Sequence, residues 1–263
     1  MNENKYQLFN DVLKQTALEA GAKIMEIHAQ GFDVNYKDDK SPVTIADDAA
    51  EKIILRDLKK IAPEIPIVAE ESASIGDIPE VDNIFWLVDP LDGTKEFIAK
   101  RKEFTVNIAL IENGRPTFGI VYAPALDTLY IAKNSDMAVM QEVSNLKTLG
   151  EEQILKVRDV PASGISAVAS KSHRDAETNA LLDKYNVTDI LSIGSSLKFC
   201  LLAEGKADFY PRFGPTMEWD TAAGHAVLNA AGGSIIHPDG SEYLYSKPDF
   251  RNGPFIATGK MIL

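Results

Sequence analysis

Ile84-Phe85-Trp86-Leu87-Val88-Asp89-Pro90-Leu91-Asp92-Gly93-Thr94-Lys95-Glu96-Phe97 opens as an unbroken apolar run and then turns abruptly into acids, proline and glycine. A short apolar run bounded by turn residues predicts a strand buried on both faces. Asp89 and Asp92 then leave the strand end in nearly fixed geometry. Pro90 pre-sets its own φ, and Gly93 permits positive φ or a close backbone approach. Thr94 stands where a short helix could begin. Carboxylates, a carbonyl and backbone amides in one place suit a hard divalent cation together with a phosphate. An Asx-type turn with a capping threonine would explain the same residues without a ligand, and acids at 39 of 263 positions make chance pairs common.

Upstream of this run, apolar residues at 9, 12, 13, 17, 20, 24 and 27 recur at helical spacing and predict a helix over 5–29. A second helix is predicted over 46–61, with Ala49, Ile53, Ile54, Leu58 and Ile61 inward, ended by Pro63 and Pro66. A short strand is expected at 65–69. Downstream, 104–111 and 117–122 read as a strand pair about the turn 112–116, and 129–132 and 137–140 extend the antiparallel sheet. The polar stretch 141–153 is the best boundary. Beyond it, strands at 167–169, 190–193 and 209–211 alternate with helices near 175–185, 196–204 and 221–231, an α/β pattern. The chain therefore divides into an α+β half, 1–153, and an α/β half, 154–263.

The charge balance, 27 basic against 39 acidic residues, gives a net charge of −12. Such a surface repels polyanions, which argues against a nucleic-acid polymer as partner. A small anion remains admissible if bound cations reverse the local field. The single cysteine, Cys200, lies in an apolar run and reads as a buried thiol in a reducing cytoplasm. No stretch is apolar enough to span a membrane, and the amino-terminal segment lacks a signal-peptide core. A cytoplasmic protein is expected.

Two further acidic sites stand at element ends: Glu70-Glu71 after Pro66-Ile67-Val68-Ala69, and Asp220 ahead of an apolar helix. Each has a plain alternative, a solvated loop for the first and a helix-dipole acid for the second. Their convergence with Asp89 and Asp92 would supply what two Mg²⁺ ions need, several carboxylates and few nitrogens. His28, His173, His225 and His237 form no zinc-like spacing, and there is neither a serine-nucleophile elbow nor a Walker loop. Asp89 and Asp92, three apart and deep in the chain, do not match the Asp-x-Asp-Gly arrangement of aspartyl-phosphate phosphatases.

Taken together, Trp86 to Phe97, the upstream Glu70, and Glu218-Trp219-Asp220-Thr221-Ala222-Ala223-Gly224-His225-Ala226-Val227 resemble the inositol monophosphatase superfamily of Mg²⁺-dependent, lithium-sensitive phosphatases. Within it, Lys95-Glu96-Phe97, where inositol monophosphatases usually have x-Asn-Phe, resembles the 3'(2'),5'-bisphosphate nucleotidase branch. Ser170 to His173 and Gly194 to Cys200 do the same. The resemblance implies a layered αβαβα sandwich of the inositol-monophosphatase and fructose-bisphosphatase type, with the site between the halves.

It also implies ligand sets. Glu70, Asp89 and the Leu91 carbonyl match the ligands of one Mg²⁺, and Asp89, Asp92 and Asp220 those of a second, with room for a third ion. Asp47, Glu70 and Thr94 match the catalytic residues that orient or deprotonate water. Glu70, Leu91, Asp92, Gly93, Thr94 and Asp220 match the segments that hold the scissile phosphate. His173, Ser195, Lys198 and Arg212 match positions that line the nucleotide pocket, although a helix lysine, a surface arginine, a loop histidine and an N-cap serine would explain these four equally well. The implied substrate is a small anionic nucleotide, adenosine 3',5'-bisphosphate or its sulfated form, in sulfur metabolism; inositol monophosphate and fructose 1,6-bisphosphate are the alternatives. A monomer or homodimer is expected, free in the cytoplasm or loosely held at the inner membrane's cytoplasmic face.

Overall fold

The computed structural model describes residues 1–36, 42–169 and 175–261. Helices α1 (Glu3–Gln30) and α2 (Ile45–Ile61) flank an antiparallel pair, β1 (Val34–Tyr36) and β2 (Pro42–Thr44). Then come β3 (Ile67–Ala69), α3 (Glu70–Ser74), β4 (Ile84–Asp92) and α4 (Thr94–Ile98). A meander follows: β5 (Thr105–Glu112), β6 (Arg115–Ala123), β7 (Thr128–Asn134), β8 (Met137–Ser144), and the short β9 (Thr148–Leu149) and β10 (Gln153–Ile154). The remainder holds β11 (Ile165–Ala169), α5 (Ala176–Lys184), β12 (Val187–Ser192), α6 (Leu197–Ala203), β13 (Phe209–Arg212), β14 (Thr216–Met217), α7 (Glu218–Ala230), β15 (Ser234–Ile236), β16 (Arg251–Asn252) and β17 (Phe255–Thr258).

The first sheet runs β10-β8-β7-β6-β5-β4-β3, with β9 beside β8; β3 lies parallel to β4 and the other pairs are antiparallel. The second runs β12-β11-β13-β17-β15, parallel as far as β13. Alternation along β4 explains why its run is apolar throughout. Trp86 and Val88 join Phe9, Leu13 and Ile54 in the core beneath α1 and α2. Phe85 and Leu87 point the other way, into the core shared by Phe199 of α6, Val227 of α7 and Phe255 of the second sheet. On the far face of that sheet, Ala167, Phe209 and Ile256 pack against Leu182 of α5. The layers are therefore α1/α2, sheet, α6/α7, sheet, α5: the αβαβα sandwich.

Three local readings differ. The strand pair β5–β6 turns through Asn113 and Gly114 alone, both left-handed at φ 52° and 74°, with Glu112 opposite Arg115. An Asn-Gly pair suits this two-residue turn, so the five residues expected as loop are mostly strand. The polar stretch 141–153 completes β8 and adds β9 and β10 to the first sheet; its polarity is that of a half-exposed edge. Passage to the second sheet follows, where Leu155 and Val157 donate to the carbonyls of Ala138 and Ala231. Helix α7 begins at Glu218, so Asp220 lies inside its first turn rather than ahead of it.

Candidate active site

The acidic turn begins with a bulge. Asp89 lies opposite Asn107 and Asp92 opposite Thr105, so Pro90 and Leu91 share the space of one partner residue. Proline fits there because a bulge needs no ladder donor. The Leu91 amide donates to Asp89 Oδ1 at 3.0 Å, fixing the carboxylate beside the strand end. Gly93 then reverses the chain at φ 97°, and a Cβ there would stand 2.9 Å from the Glu103 carbonyl oxygen. Only glycine meets both demands. Thr94 opens α4, its Oγ1 3.2 Å from both Asp47 Oδ1 and the Leu91 carbonyl.

Asp47 reaches this point from the first turn of α2, where it forms a capping box with Thr44: the Thr44 amide and hydroxyl both donate to Asp47 Oδ2 at 2.8 Å. Burial pushes its carboxyl up to about 6; the Thr44 bonds oppose the rise and the Glu70 charge adds to it. Glu70 is the first residue of α3. Glu51 of α2 secures that helix start by accepting the Glu71 amide at 2.8 Å, the Ser72 amide at 3.0 Å and the Ser72 hydroxyl at 2.6 Å.

Asp220 enters from α7, its Oδ2 accepting the Met217 amide at 2.8 Å. Asp92 Oδ2 accepts the Ser196 amide at 2.6 Å, with Asn107 Nδ2 at 3.3 Å. Burial, and then the charges of Glu70, Asp92 and Asp220, hold the Asp89 carboxyl well above the usual carboxylate range. Asp220 is raised by burial and by Asp92 and Glu70. Burial raises Asp92 as well, opposed by the Lys198 charge and the Ser196 bonds. Acids that disfavour each other's ionisation, with a carbonyl and no nitrogen ligand among them, are the donor set a hard divalent cation relieves. The residues fit such an ion. Among the described residues, no three His, Cys, Asp or Glu side chains are already drawn to coordination distance; the bonds of Asp92 and Asp220 to Ser196, Asn107 and Met217 engage one oxygen of each carboxylate.

Asp92, Gly93, Ser195, Lys198, Arg212 and Asp220 line one cavity of about 350 Å³. The structure thus brings most of the expected substrate residues together, on both sides of the seam between the two sheets. Lys198 is no snorkelling lysine: it is 7% exposed, its Nζ donates to the Ser195 carbonyl at 2.7 Å, and burial lowers its pKa to about 8, partly offset by Asp92. The Arg212 guanidinium donates to the carbonyls of Gly214 and Pro215. The N-cap position of α6 belongs to Ser196 rather than Ser195; Ser195 precedes it with a left-handed backbone, and its Oγ accepts the Leu197 amide at 3.4 Å. His173, and Ser170 to His173 as a whole, lie outside the described residues. Lys95, Glu96, Arg101 and Tyr210 also line the cavity; Lys95 and Glu96 were read only as marks of the branch. Arg101 and Tyr210 were missed, as were Asn107 and Ser196, which bond Asp92, and Glu51, which holds the start of α3. Asn107, polar within the run 104–111, was the one legible signal among them.

Residues 5–260 match the family model described as the inositol monophosphatase family. The chain belongs to the inositol monophosphatase family. A Shigella flexneri member named 3'(2'),5'-bisphosphate nucleotidase CysQ is 45% identical over 248 residues, covering 93% of this chain and 97% of its own. The protein of the same name from Escherichia coli K12 is 44% identical over the same coverage. Among solved structures, CysQ from Bacteroides thetaiotaomicron, a bacterial member of this family, superposes with a TM-score of 0.78 at 38% identity, covering 94% of this chain and 96% of that one. The family resemblance read from Trp86 to Phe97, Glu70 and Glu218 to Val227 is thus borne out, and with it the fold. Among the described residues, no helix is long and apolar enough to cross a membrane.

Proposed function

We propose that this chain is a Mg²⁺-dependent 3'(2'),5'-bisphosphate nucleotidase, which removes the 3'-phosphate of adenosine 3',5'-bisphosphate, or of its sulfated form, to leave a 5'-nucleotide and phosphate. The observation that carries the reading is that Asp92 and Asp220, whose charges act on the buried Asp89 beside them, line a cavity together with Lys198 and Arg212. The names of relatives 45% and 44% identical support it. We take residues 1–153 and 154–263 as the two contributing units, and a cytoplasmic setting, where the substrate class is found.

Glu70, Asp89 and the Leu91 carbonyl would hold one Mg²⁺, and Asp89, Asp92 and Asp220 a second. Bound there, the ions supply a lowered water pKa and neutralisation of the departing ribose oxygen. The chain's own residues do the rest. Thr94 Oγ1, hydrogen-bonded to Asp47, orients the attacking water, whose proton passes by way of Thr94 to the Asp47 carboxylate; Thr44 keeps that carboxylate aimed. The water oxygen forms the new bond to phosphorus as the bond to the ribose 3'-oxygen breaks, and that oxygen takes a proton from solvent water, to which Asp47 returns its own. The backbone amides at Gly93 and Thr94 share the charge on the remaining phosphoryl oxygens. Lys198 and Arg212, both cationic and facing the cavity, suit the phosphate that is not cleaved.

The test is phosphate release from adenosine 3',5'-bisphosphate with Mg²⁺, with EDTA, and with Asp89→Asn. Loss of turnover in EDTA, and a fall of more than about a hundredfold in the variant, are expected, because Asp89 serves both ions. Turnover that survives EDTA would refute the metal assignment.

A further inference from the structure

Ser195 precedes α6 with φ 51°, a conformation that a residue other than glycine keeps only where its surroundings hold it. Its effect is to aim Ser196 at the acids. The Ser196 amide stands 2.6 Å from Asp92 Oδ2 and its hydroxyl 2.9 Å from the same oxygen. That hydroxyl also lies 2.8 Å from the Asp220 backbone carbonyl. Asn107, on the neighbouring strand β5, donates its Nδ2 to Ser196 Oγ at 2.8 Å and approaches Asp92 Oδ2 at 3.3 Å. Both residues are 1% exposed. A hydroxyl has one proton and two lone pairs. With Asn107 filling a lone pair, the proton is left to point at Asp92 or at the Asp220 carbonyl.

We infer that Ser196, oriented by Asn107, is a positioning residue: it locks the Asp92 carboxylate of the β4–α4 turn to the first turn of α7, and so sets the spacing of two metal-ligating acids from distant parts of the chain. The inference rests on the metal reading above. It also explains two buried polar side chains at the centre of the molecule, where apolar residues would pack as well. Outer-shell partners of this kind are worth about 10–100-fold in metal affinity.

Titration of the full chain with Mn²⁺ alone, following free ion by electron paramagnetic resonance, reads the effect without substrate or turnover. Ser196→Ala should bind Mn²⁺ about tenfold or more weakly than wild type, the surviving Ser196 amide limiting the loss, and Ser196→Thr, which keeps the hydroxyl, should recover most of it. Asn107→Ala tests the same lock from the other side should Ser196→Ala fail to fold, and should weaken binding in the same direction. A folded Ser196→Ala or Asn107→Ala protein with wild-type Mn²⁺ affinity would overturn the role of Ser196 while leaving the metal site standing. No Mn²⁺ binding by wild type would overturn the site itself.

Discussion

Gly93 carries more of the turn between β4 and α4 than either flanking acid. It combines φ 97° with a carbonyl oxygen 2.9 Å from where a side chain would begin. Gly93→Ala should therefore lower stability by at least about 1 kcal/mol, read as a shifted urea midpoint at unchanged slope, and should reduce turnover by more than its stability loss explains. An unshifted midpoint would contradict the strained turn. At this scale the sequence was legible where chemistry clusters along the chain. Asp89, Asp92, Gly93 and Thr94 announce themselves by spacing. Ser196 does not, because a serine beside another serine carries no sign that its amide meets an acid far away in sequence. Lys198 was ambiguous for the same reason: burial decides its role, and burial is a property of the fold.

Helix α3 is five residues long and cannot hold itself together; Glu51 of α2 does so by accepting the amides of its second and third residues, Glu71 and Ser72. Removing that acceptor leaves buried donors unsatisfied. Glu51→Ala is expected to cost about 1–2 kcal/mol of stability, on the scale of a lost helix cap, and to weaken Mn²⁺ binding by displacing Glu70. Thermal unfolding and the metal titration check the two halves of this claim separately; an unchanged melting temperature would show that α3 needs no cap. The long helices and the β4 strand were readable from periodicity because packing follows it. The stretch 141–153 was not, since polar edge strands and polar linkers have the same composition. The start of α7 was set three residues late because Glu218 and Trp219 give no stop or start signal of their own, while the Met217 amide bonded to Asp220 does so only in three dimensions.

Across the whole molecule, α6 and α7 lie between the two sheets, so the acids of β4 and α7 meet at the rim of the central layer. That layer also contains His225, which is 3% exposed with Nδ1 3.0 Å from the Tyr245 hydroxyl. Burial, with the Lys247 charge adding to it, lowers its pKa to about 3. Below about pH 6.5 the unfolded chain takes up a proton that the folded His225 refuses, so stability falls as pH falls, by up to about 1.4 kcal/mol per pH unit. His225→Asn, which keeps a polar group toward Tyr245, should flatten the decline in melting temperature between about pH 7 and pH 5; parallel wild-type and variant slopes would refute this. The layer order was foreseen only through family resemblance, since no local pattern tells which face of a sheet a later helix will cover. The measurement that bears most directly on the central claim is phosphate release in Mg²⁺ from adenosine 3',5'-bisphosphate and inositol 1-phosphate, side by side. Strong turnover of the nucleotide with little of the inositol ester is predicted. Preference for the inositol ester would contradict the nucleotidase reading and would mean that Lys198, Arg212 and Glu96 line a cavity built for another alcohol.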